Sequence, residues 1–288
     1  MNYWSTILEL HSIKYTNANI RFLQEYKFRK NTGIEINIKK KYQIGGTKYK
    51  FKFKDFNITI FSTEDTHSIM YSLKSESDCL LIDIDKEQKN IATITGISAD
   101  YGCYDDNHQK MKGADLLDLA IYFIKTKRKF KTINNEILEI KIIQLTDNSH
   151  INCNNKKVKL SNLYTLTNGY TWYMNRGFVP IDIYDDKETT KLINKMISNY
   201  NIMNTITIEN SNIYEYLNIL EKTKENINAI QSILNYVKDN KTKLLKDLFN
   251  EIIKNFTDYC SIILDLCNGL YEEIGLMSFY KYVFILKI

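Results

Sequence analysis

The sequence has little proline, few cysteines and no long apolar run. Pro180 is the only proline among 288 residues, and isoleucine, asparagine, lysine and tyrosine are abundant. Such a composition is typical of an A+T-rich coding genome and weakens any argument that rests on lysine alone. No apolar segment approaches the roughly 20 residues that span a bilayer. The N-terminus also lacks the basic and apolar regions of a signal peptide. We therefore expect a soluble, cytoplasmic protein without a membrane partner.

The cysteines are five, an odd number, and none forms a Cys-x-x-Cys pair. This usage predicts reduced thiols in an intracellular compartment. His150 and Cys153 have the spacing of half a zinc site, but no second half with matching spacing follows. We predict no metal site.

The net charge is +5, which is small for this length, and lysines and acidic residues are interspersed along the chain. A dedicated nucleic-acid-binding protein concentrates its positive charge on one face. The pattern therefore argues against a specific nucleic-acid partner, although it is compatible with mild attraction to a polyanionic cofactor. The apolar and charged fractions, 44% and 25%, are those of an ordinary globular protein.

The first half of the chain is dominated by strand signals. Aromatic residues alternate with lysines from Tyr49 to Lys54, which indicates a half-exposed strand. Further strands are predicted at residues 7–10, 56–61, 68–73, 79–84 and 91–97, and a short helix at 18–30. The strand from Ile91 is predicted to continue through Cys103, with Gly96 and Gly102 as natural places for a bulge.

The stretch from Ile91 to Phe178 predicts strand, polar loop, helix, strand and helix. An amphipathic helix follows Gly113, and its terminal basic run, 125–129, complements the helix dipole. A buried strand follows at 140–145. The next helix begins near Leu160 and is expected to end in Tyr173-Met-Asn-Arg-Gly-Phe178, before a strand at 179–183. Asn168-Gly169 could interrupt or bend this helix before Tyr170.

From about residue 186 to 275 the apolar period is helical and predicts three or four helices, with breaks near Asn210, Asn240 and Gly269. The chain ends in a strand-like segment, 279–288, which we expect to return to the first sheet. The predicted domains are therefore 1–185 with 276–288, and an inserted helical lobe at 186–275.

Gly113 and Ala114 open a helix, where unpaired backbone N–H groups and the positive end of the helix dipole favour anions. Small residues let a pyrophosphate approach the backbone, and Lys110 and Lys112 add charge. This motif alone is a weak indication of phosphate binding.

The order of these parts resembles the GNAT acetyltransferase superfamily, with a looser similarity to its divergent members in large DNA viruses and protists. The family loop is Arg/Gln-x-x-Gly-x-Gly/Ala, and its last helix commonly ends in Tyr-x-x-x-Gly-Phe. Tyr173 to Phe178 matches this ending without a gap, and Gly113 matches the final small residue of the loop. His108 and Met111 depart from the loop pattern.

The resemblance implies an α/β (α+β) fold with a central mixed, mostly antiparallel sheet flanked by helices. It implies acetyl transfer from acetyl-CoA to a primary amine of unknown identity, with Tyr173 as general acid. Asp100 is the hypothesised base, directly or through water. The strand ending at Cys103 would part from strand 140–145 and hold the pantetheine. The implied cofactor-binding residues are Tyr101, Gly102, Cys103, His108, Gln109, Lys110, Met111, Lys112, Gly113 and Ala114.

Three alternatives stay open. Cys103, His108 and Asp105 or Asp106 could form a cysteine-hydrolase set. The acidic run 105–107 could bind a divalent cation, although it is too short for a calcium loop. The transferase core could also be degenerate and the protein a binding or structural module. If the protein is a transferase, the helical lobe could restrict the acceptor or mediate homodimer formation.

Overall fold

The structure, a computed structural model, describes residues 39–43, 46–73, 79–98, 102–153, 156–221 and 227–288. The strand and helix predicted at 7–10 and 18–30 lie outside these residues. The chain divides into two compact units. We call them the sheet unit, which contains the described residues of 39–146 with Ile285–Ile288, and the helical unit, which contains Asp147–Phe284.

Six consecutive strands of the sheet unit pair antiparallel with their sequence neighbours. In the strand from Gly46 to Phe53, the aromatic side chains are buried and the lysines between them are exposed, which confirms the predicted alternation. The six strands are β1 (Lys39–Gln43), β2 (Gly46–Phe53), β3 (Phe56–Glu64), β4 (Ser68–Leu73), β5 (Leu80–Asp85) and β6 (Ile91–Ile97).

The seventh strand of this sheet, β9 (Ile142–Thr146), pairs parallel with β6. Its connection from β6 contains α1 (Gly113–Lys127) and a small hairpin of β7 (Lys129–Lys131) and β8 (Ile137–Glu139). A parallel pair needs such a crossover. The predicted helix from Gly113 is thus confirmed, and it buries the apolar face Leu116, Leu117, Leu119, Ala120, Ile121, Phe123 and Ile124.

The last strand, β13 (Val283–Lys287), begins in the helical unit and ends in the sheet unit. Within the sheet unit its end lies beside β9, and the N–H of Ile288 donates to the carbonyl of Lys141 at 2.9 Å. The predicted return of the terminal strand to the first sheet is therefore confirmed. The fold is a mixed α/β one with a large, mostly antiparallel sheet and flanking helices.

The helical unit begins with a hairpin and continues mainly through helices. One predicted helix is shorter than expected, because Gly169 takes a left-handed conformation with φ of 82° and ends it at Asn168. The elements are β10 (His150–Cys153), β11 (Lys156–Lys159), α2 (Leu160–Asn168), β12 (Val179–Ile181), α3 (Asp186–Thr205), α4 (Ile213–Glu221), α5 (Ile227–Asp239), α6 (Leu245–Ile252) and α7 (Phe256–Glu273).

The predicted helical segment 186–275 contains five helices in its described residues, not three or four. Short 3-10 turns at Glu209–Ser211 and Ile253–Asn255 divide it further than the sequence indicated. Gly269, predicted as a break, lies inside α7, where a Cβ would clash with the hydroxyl of Tyr216. This glycine permits close packing between helices and does not end one. The division into domains at residue 185 stays a prediction.

The cysteines are paired, so the prediction of reduced thiols is wrong for four of them. Cys79 bonds Cys103 within the sheet unit, and Cys153 bonds Cys260 within the helical unit. Each pair has a Cα–Cα distance of 5.8 Å. Cys267 is a buried free thiol. The sequence separations of 24 and 107 residues left these pairs without a spacing signal.

Lys127 belongs to the basic run at the end of α1, which the sequence predicts to interact with the helix dipole. In the structure Lys127 also contacts aromatic side chains of the sheet unit. Its ammonium donates to the hydroxyls of Tyr49 at 2.6 Å and Tyr71 at 2.9 Å. It also lies 3.9 Å from the ring centroid of Tyr49 and 4.6 Å from those of Tyr71 and Phe130. Cation–π attraction and charged hydrogen bonds therefore tie the end of α1 to the sheet.

No helix in the described residues combines the length and the apolar character needed to cross a membrane.

Replacing Lys127 with Met keeps most of the side-chain stem and removes the ammonium. We expect the free energy of unfolding to fall by about 2 kcal/mol, because two charged hydrogen bonds and the cation–π contacts are lost. Lys129→Met, on the exposed edge of β7, is the matched control and should change stability by less than about 0.5 kcal/mol. Urea denaturation measures the free energy of unfolding of both variants. Equal losses would contradict a stabilising role for the contacts of Lys127 with Tyr49, Tyr71 and Phe130.

Candidate functional site

A buried carboxyl group stands at the start of the helical unit, directly after β9. The backbone of Asp147 pairs with the turn that precedes β13: its N–H donates to the carbonyl of Tyr282 at 3.0 Å, and its carbonyl accepts from the N–H of Lys281 at 2.6 Å. These two bonds fix the residue and direct its side chain into the unit, where it is 0% exposed.

Among the described residues, only one of the two carboxyl oxygens of Asp147 has a hydrogen-bond partner. Its Oδ1 accepts from the N–H of Ser149 at 3.0 Å and from the hydroxyl of Ser149 at 2.6 Å. Its Oδ2 has no hydrogen-bond partner among the described residues, and neither has the buried hydroxyl of Ser161. Ser161 lies in the first turn of α2, close enough to act on the carboxyl without a formed hydrogen bond. A buried oxygen without a partner is costly, which marks this residue as a functional candidate.

Burial raises the pKa of Asp147 to about 6, and the hydroxyl and N–H of Ser149 and the hydroxyl of Ser161 oppose this rise. The group therefore changes its charge near neutral pH, where a general base is most effective.

Tyr173, the predicted general acid, lies in the turn that the motif Tyr-x-x-x-Gly-Phe forms. A 3-10 turn, Met174–Arg176, is closed by Gly177 with φ of 85°, a conformation that favours glycine. The turn brings Phe178 back against Tyr173, with ring centroids 6.3 Å apart, and Phe284 covers the same ring at 5.9 Å. The motif thus forms a turn that buries Tyr173.

Burial and the charge of Asp147 raise the pKa of Tyr173 well above its usual range. The hydroxyl of Ser149 and the guanidinium of Arg176 oppose the rise. Ser149 therefore acts on both Asp147 and Tyr173, although its hydrogen bond to Tyr173 is not formed in this structure. Tyr173 stays protonated at neutral pH and is available as a proton donor.

The sheet unit contains the second candidate feature, the parallel pair of β6 and β9. Their pairing runs from Ile91 and Ile142 to Ile94 and Leu145 and then ends, although β6 continues to Ile97. Against β5 on the other side, β6 has an irregularity, because Ile82 pairs with Ile94 while Leu81 pairs with Gly96. The register skips Thr95, next to Gly96, which is one of the two places where the sequence allowed a bulge. The predicted strand continuation to Cys103 is wrong for the described residues, since β6 ends at Ile97.

Residues 104–111, which precede α1, form a hairpin that several hydrogen bonds hold in place. The N–H of Met111 donates to the carbonyl of Cys103 at 2.7 Å. The carboxylate of Asp105 accepts N–H bonds from Asn57, Asn107 and Gln109 at 2.8, 3.0 and 2.7 Å. Burial raises the pKa of Asp105, but these N–H groups outweigh it and hold the pKa below its usual range. The Asp105 carboxylate is thus used in hydrogen bonds to the backbone of the hairpin and of Asn57. These bonds leave the divalent-cation alternative without support.

The N-terminus of α1 is partly occupied by an acidic side chain. Asp115 Oδ2 accepts from the N–H of Lys112 at 3.2 Å, and its Oδ1 pairs with the ammonium of Lys54 at 3.2 Å. Gly113 and Ala114 are the first two residues of the helix, so their N–H groups have no intrahelical acceptor. A pyrophosphate could reach these two N–H groups, but it would approach the Asp115 carboxylate as well.

The predicted cofactor residues separate into an exposed and a buried set. His108, with φ of 61°, lies with Gln109 and Lys110 on the exposed side of the hairpin. Met111 is buried, so its side chain contributes to the core where the family has glycine. Gly102 and Cys103 precede the hairpin. Asp100 and Tyr101 lie outside the described residues.

The cysteine-hydrolase alternative is excluded, because Cys103 is bonded to Cys79 and offers no thiolate. The half zinc site of His150 and Cys153 fails for the same reason, since Cys153 is bonded to Cys260.

The helical unit also contains a cavity of about 390 Å³, lined in part by Lys159, Asn162 and Lys195. Asn162 forms part of its buried wall and accepts from the hydroxyl of Ser278 at 2.6 Å. The residues that line it do not include Asp147, Ser149 or Tyr173, so it is distinct from the buried carboxyl.

Asp147, Ser149 and Ser161 were not predicted as site residues. In sequence, Asp147 stands in a polar connector that indicates a solvated turn, and Lys281 and Tyr282, which bond to its backbone, follow far along the chain. The nearest signal is its position directly after a buried strand.

No protein-family model, no curated protein and no solved structure matches this chain.

The pKa of Asp147 predicts a pH-dependent loss of stability. The pKa of Asp147 is raised from 3.8 to about 6 in the folded state. The favourable contribution of the protonated carboxyl to the free energy of unfolding is therefore complete below pH 3.8 and is lost as the pH rises to about 6. Asn cannot ionise and still accepts from Ser149. The unfolding free energy of Asp147→Asn relative to the wild type should therefore rise by about 2 kcal/mol between pH 4.5 and pH 7.5.

Urea denaturation of both proteins at the two pH values tests this expectation. Asp239→Asn, at an exposed position at the end of α5, is the control and should show almost no pH-dependent difference. An Asp147→Asn difference as small as that of the control would contradict the raised pKa.

Proposed function

We propose that the protein is a divergent GNAT-type N-acetyltransferase, which transfers an acetyl group from acetyl-CoA to a primary amine. The observation that carries the proposal is the parallel pair β6 and β9, whose pairing ends while β6 continues. This supports the expectation, stated with the family resemblance, that two strands part and leave room for an extended thioester.

Backbone groups supply the contacts in this proposal. In the described residues the pairing of the two strands ends at Ile94 and Leu145, and an extended pantetheine chain would bond to strand backbone beyond this point. Gly102 and Cys103 follow β6 and remain proposed cofactor residues with Tyr101. One N–H of this segment would face the thioester oxygen and stabilise the developing oxyanion.

The phosphates of the cofactor would lie at the start of α1. The N–H groups of Gly113 and Ala114 and the positive end of the helix dipole favour a dianion there. Lys110 and Lys112 are exposed and add positive charge, and His108 and Gln109 are exposed on the same hairpin. In this proposal Met111 contributes its backbone, since its side chain is buried.

Tyr173 is the proposed general acid for the leaving thiolate. Its raised pKa keeps the phenol protonated through the neutral range, and its fixed turn restricts its orientation. Asp100 is the base that the sequence suggested. The amine acceptor, a homodimer and a cytoplasmic location remain part of the proposal. The two disulfides are more typical of an oxidising compartment.

A binding or structural module without catalysis is the second candidate. The specific observation in its favour is the Asp115 carboxylate at the N-terminus of α1, because it repels a phosphate at the place where the proposal needs one. The ion pair with Lys54 reduces this repulsion without removing it.

Isothermal calorimetry with acetyl-CoA distinguishes the two candidates. An acetyltransferase should bind the cofactor, whereas no binding at millimolar concentration would contradict the enzyme and favour the module. Gly113→Glu places a side chain and a negative charge at the proposed phosphate site and should weaken binding at least about tenfold, or 1.4 kcal/mol. Asn134→Glu, at an exposed position before β8, is the matched control for the added charge.

Tyr173→Phe tests the general acid. It removes only the hydroxyl, so cofactor affinity should be unchanged and kcat should fall about 100-fold, the low end for a lost proton donor. Trp172→Phe alters the adjacent ring, 5.1 Å away, without removing a titratable group and serves as the control. A wild-type kcat in Tyr173→Phe would remove this residue from the mechanism.

A further inference from the structure

We propose that Asp147, acting through the hydroxyl of Ser149, holds the proton that the amine loses and returns it to Tyr173. This inference rests on the proposed acetyltransferase function. It replaces Asp100 as the base with a group whose contacts the structure describes. Because Asp147 would reach the substrate only through Ser149, it is a positioning residue and not a catalytic one.

The position of Asp147 is difficult to explain by stability. A carboxyl that is 0% exposed, with one oxygen unpartnered among the described residues, costs free energy that an apolar side chain of similar size would not. Ser149, by contrast, is partly exposed and donates its hydroxyl to Asp147 at 2.6 Å. A buried group therefore has a hydrogen-bonded path towards solvent.

The groups that face Asp147 form a small set. Tyr173 comes from the 3-10 turn, Tyr271 from α7, and both sense its charge. The hydroxyls of Ser149 and Ser161 face it from the connector and from α2. The turn before β13 meets it with the backbone of Lys281. Arg176 is the cation that acts on Tyr173 itself.

Two neighbouring titratable groups with pKa values moved apart are typical of an acid and base pair. Tyr173 is held protonated, and Asp147 titrates at about pH 6. At pH 7.5 the resting state is therefore a neutral phenol and a carboxylate, which is the charge state that acyl transfer needs at its start.

The proton steps balance. The amine nitrogen bonds to the acetyl carbon, and its released proton passes to Ser149 Oγ as the Ser149 proton passes to Asp147 Oδ1. The carbon–sulfur bond breaks, and the thiolate takes the proton of Tyr173. Asp147 then returns its proton through Ser149 to the Tyr173 oxygen, which restores both groups. The last transfer requires the Ser149 to Tyr173 hydrogen bond to form.

The coupling can be tested without turnover. A single fluorotyrosine at position 173 reports its surroundings by ¹⁹F NMR, and its chemical shift should show an inflection near pH 6 as Asp147 titrates. The inflection should vanish in Asp147→Asn and shrink in Ser149→Ala. Its absence from the wild type, or its persistence in Asp147→Asn, would overturn the inference. Ser149→Ala keeps the test decisive if Asp147→Asn does not fold.

The rate test separates this inference from the proposed function. Asp147→Asn should bind acetyl-CoA as the wild type does, lose about 100-fold in kcat at pH 7.5, and lose the acid limb of the pH profile near pH 6. Ser149→Ala should behave similarly, and Ser149→Thr should restore most of the rate.

Asp100→Asn is the matched comparison for the rate test. If this change abolishes the acid limb and Asp147→Asn does not, the inference fails while the acetyltransferase stands. If the wild type neither binds acetyl-CoA nor transfers acetyl groups, the proposed function fails, and the NMR titration still decides whether Asp147 and Tyr173 are coupled.

Discussion

The burial of Asp147 is the constraint around which the start of the helical unit is arranged. Its backbone joins the turn before β13 through two hydrogen bonds, and its neighbour Ser149 accepts the N–H of Leu160 at the start of α2. Three distant parts of the chain therefore meet around one buried acid. Burying it costs several kcal/mol unless it is protonated or well paired. The structure pairs one oxygen, and burial raises the pKa of the carboxyl to about 6, so the packing that fixes the fold also creates a group that titrates near neutral pH.

In the sheet unit, the main constraint is the parallel pairing of β6 and β9. A parallel pair inside an otherwise antiparallel sheet requires a crossover, and α1 provides it. The crossover places the start of a helix after the end of a strand, an arrangement that suits an anionic ligand. The hairpin that leads into it is fixed by the disulfide of Cys103 and by the backbone contacts of Asp105. The parallel pair, the hairpin and the start of α1 are therefore parts of one connection in the chain.

Much of the fold could be predicted from the sequence, because its signals are local. The aromatic and lysine alternation of β2 and the apolar face of α1 depend on the periodicity of one element. The end of α2 at Asn168 was only one of the two outcomes that the sequence allowed, because aromatic residues continue past Gly169, which takes a left-handed conformation. The disulfides were missed because their partners are far apart in sequence. Gly269 was mistaken for a break because its role depends on Tyr216 from another helix.

The residues of the candidate site also differ in whether a local sequence signal points to them. The sequence pointed to Tyr173 because its motif is contiguous and its turn is local, and the role of Tyr173 stays a prediction. Asp147 could not be predicted, because its neighbours in sequence are polar, and the two residues that bond to its backbone, Lys281 and Tyr282, lie more than 100 positions away. The most direct test of this account is the pKa of the Asp147 carboxyl, measured by ¹³C NMR in protein with labelled aspartate and assigned with Asp147→Asn. The account predicts a value of about 6. A value at or below the ordinary 3.8 would show a solvated or fully paired carboxylate and would contradict it.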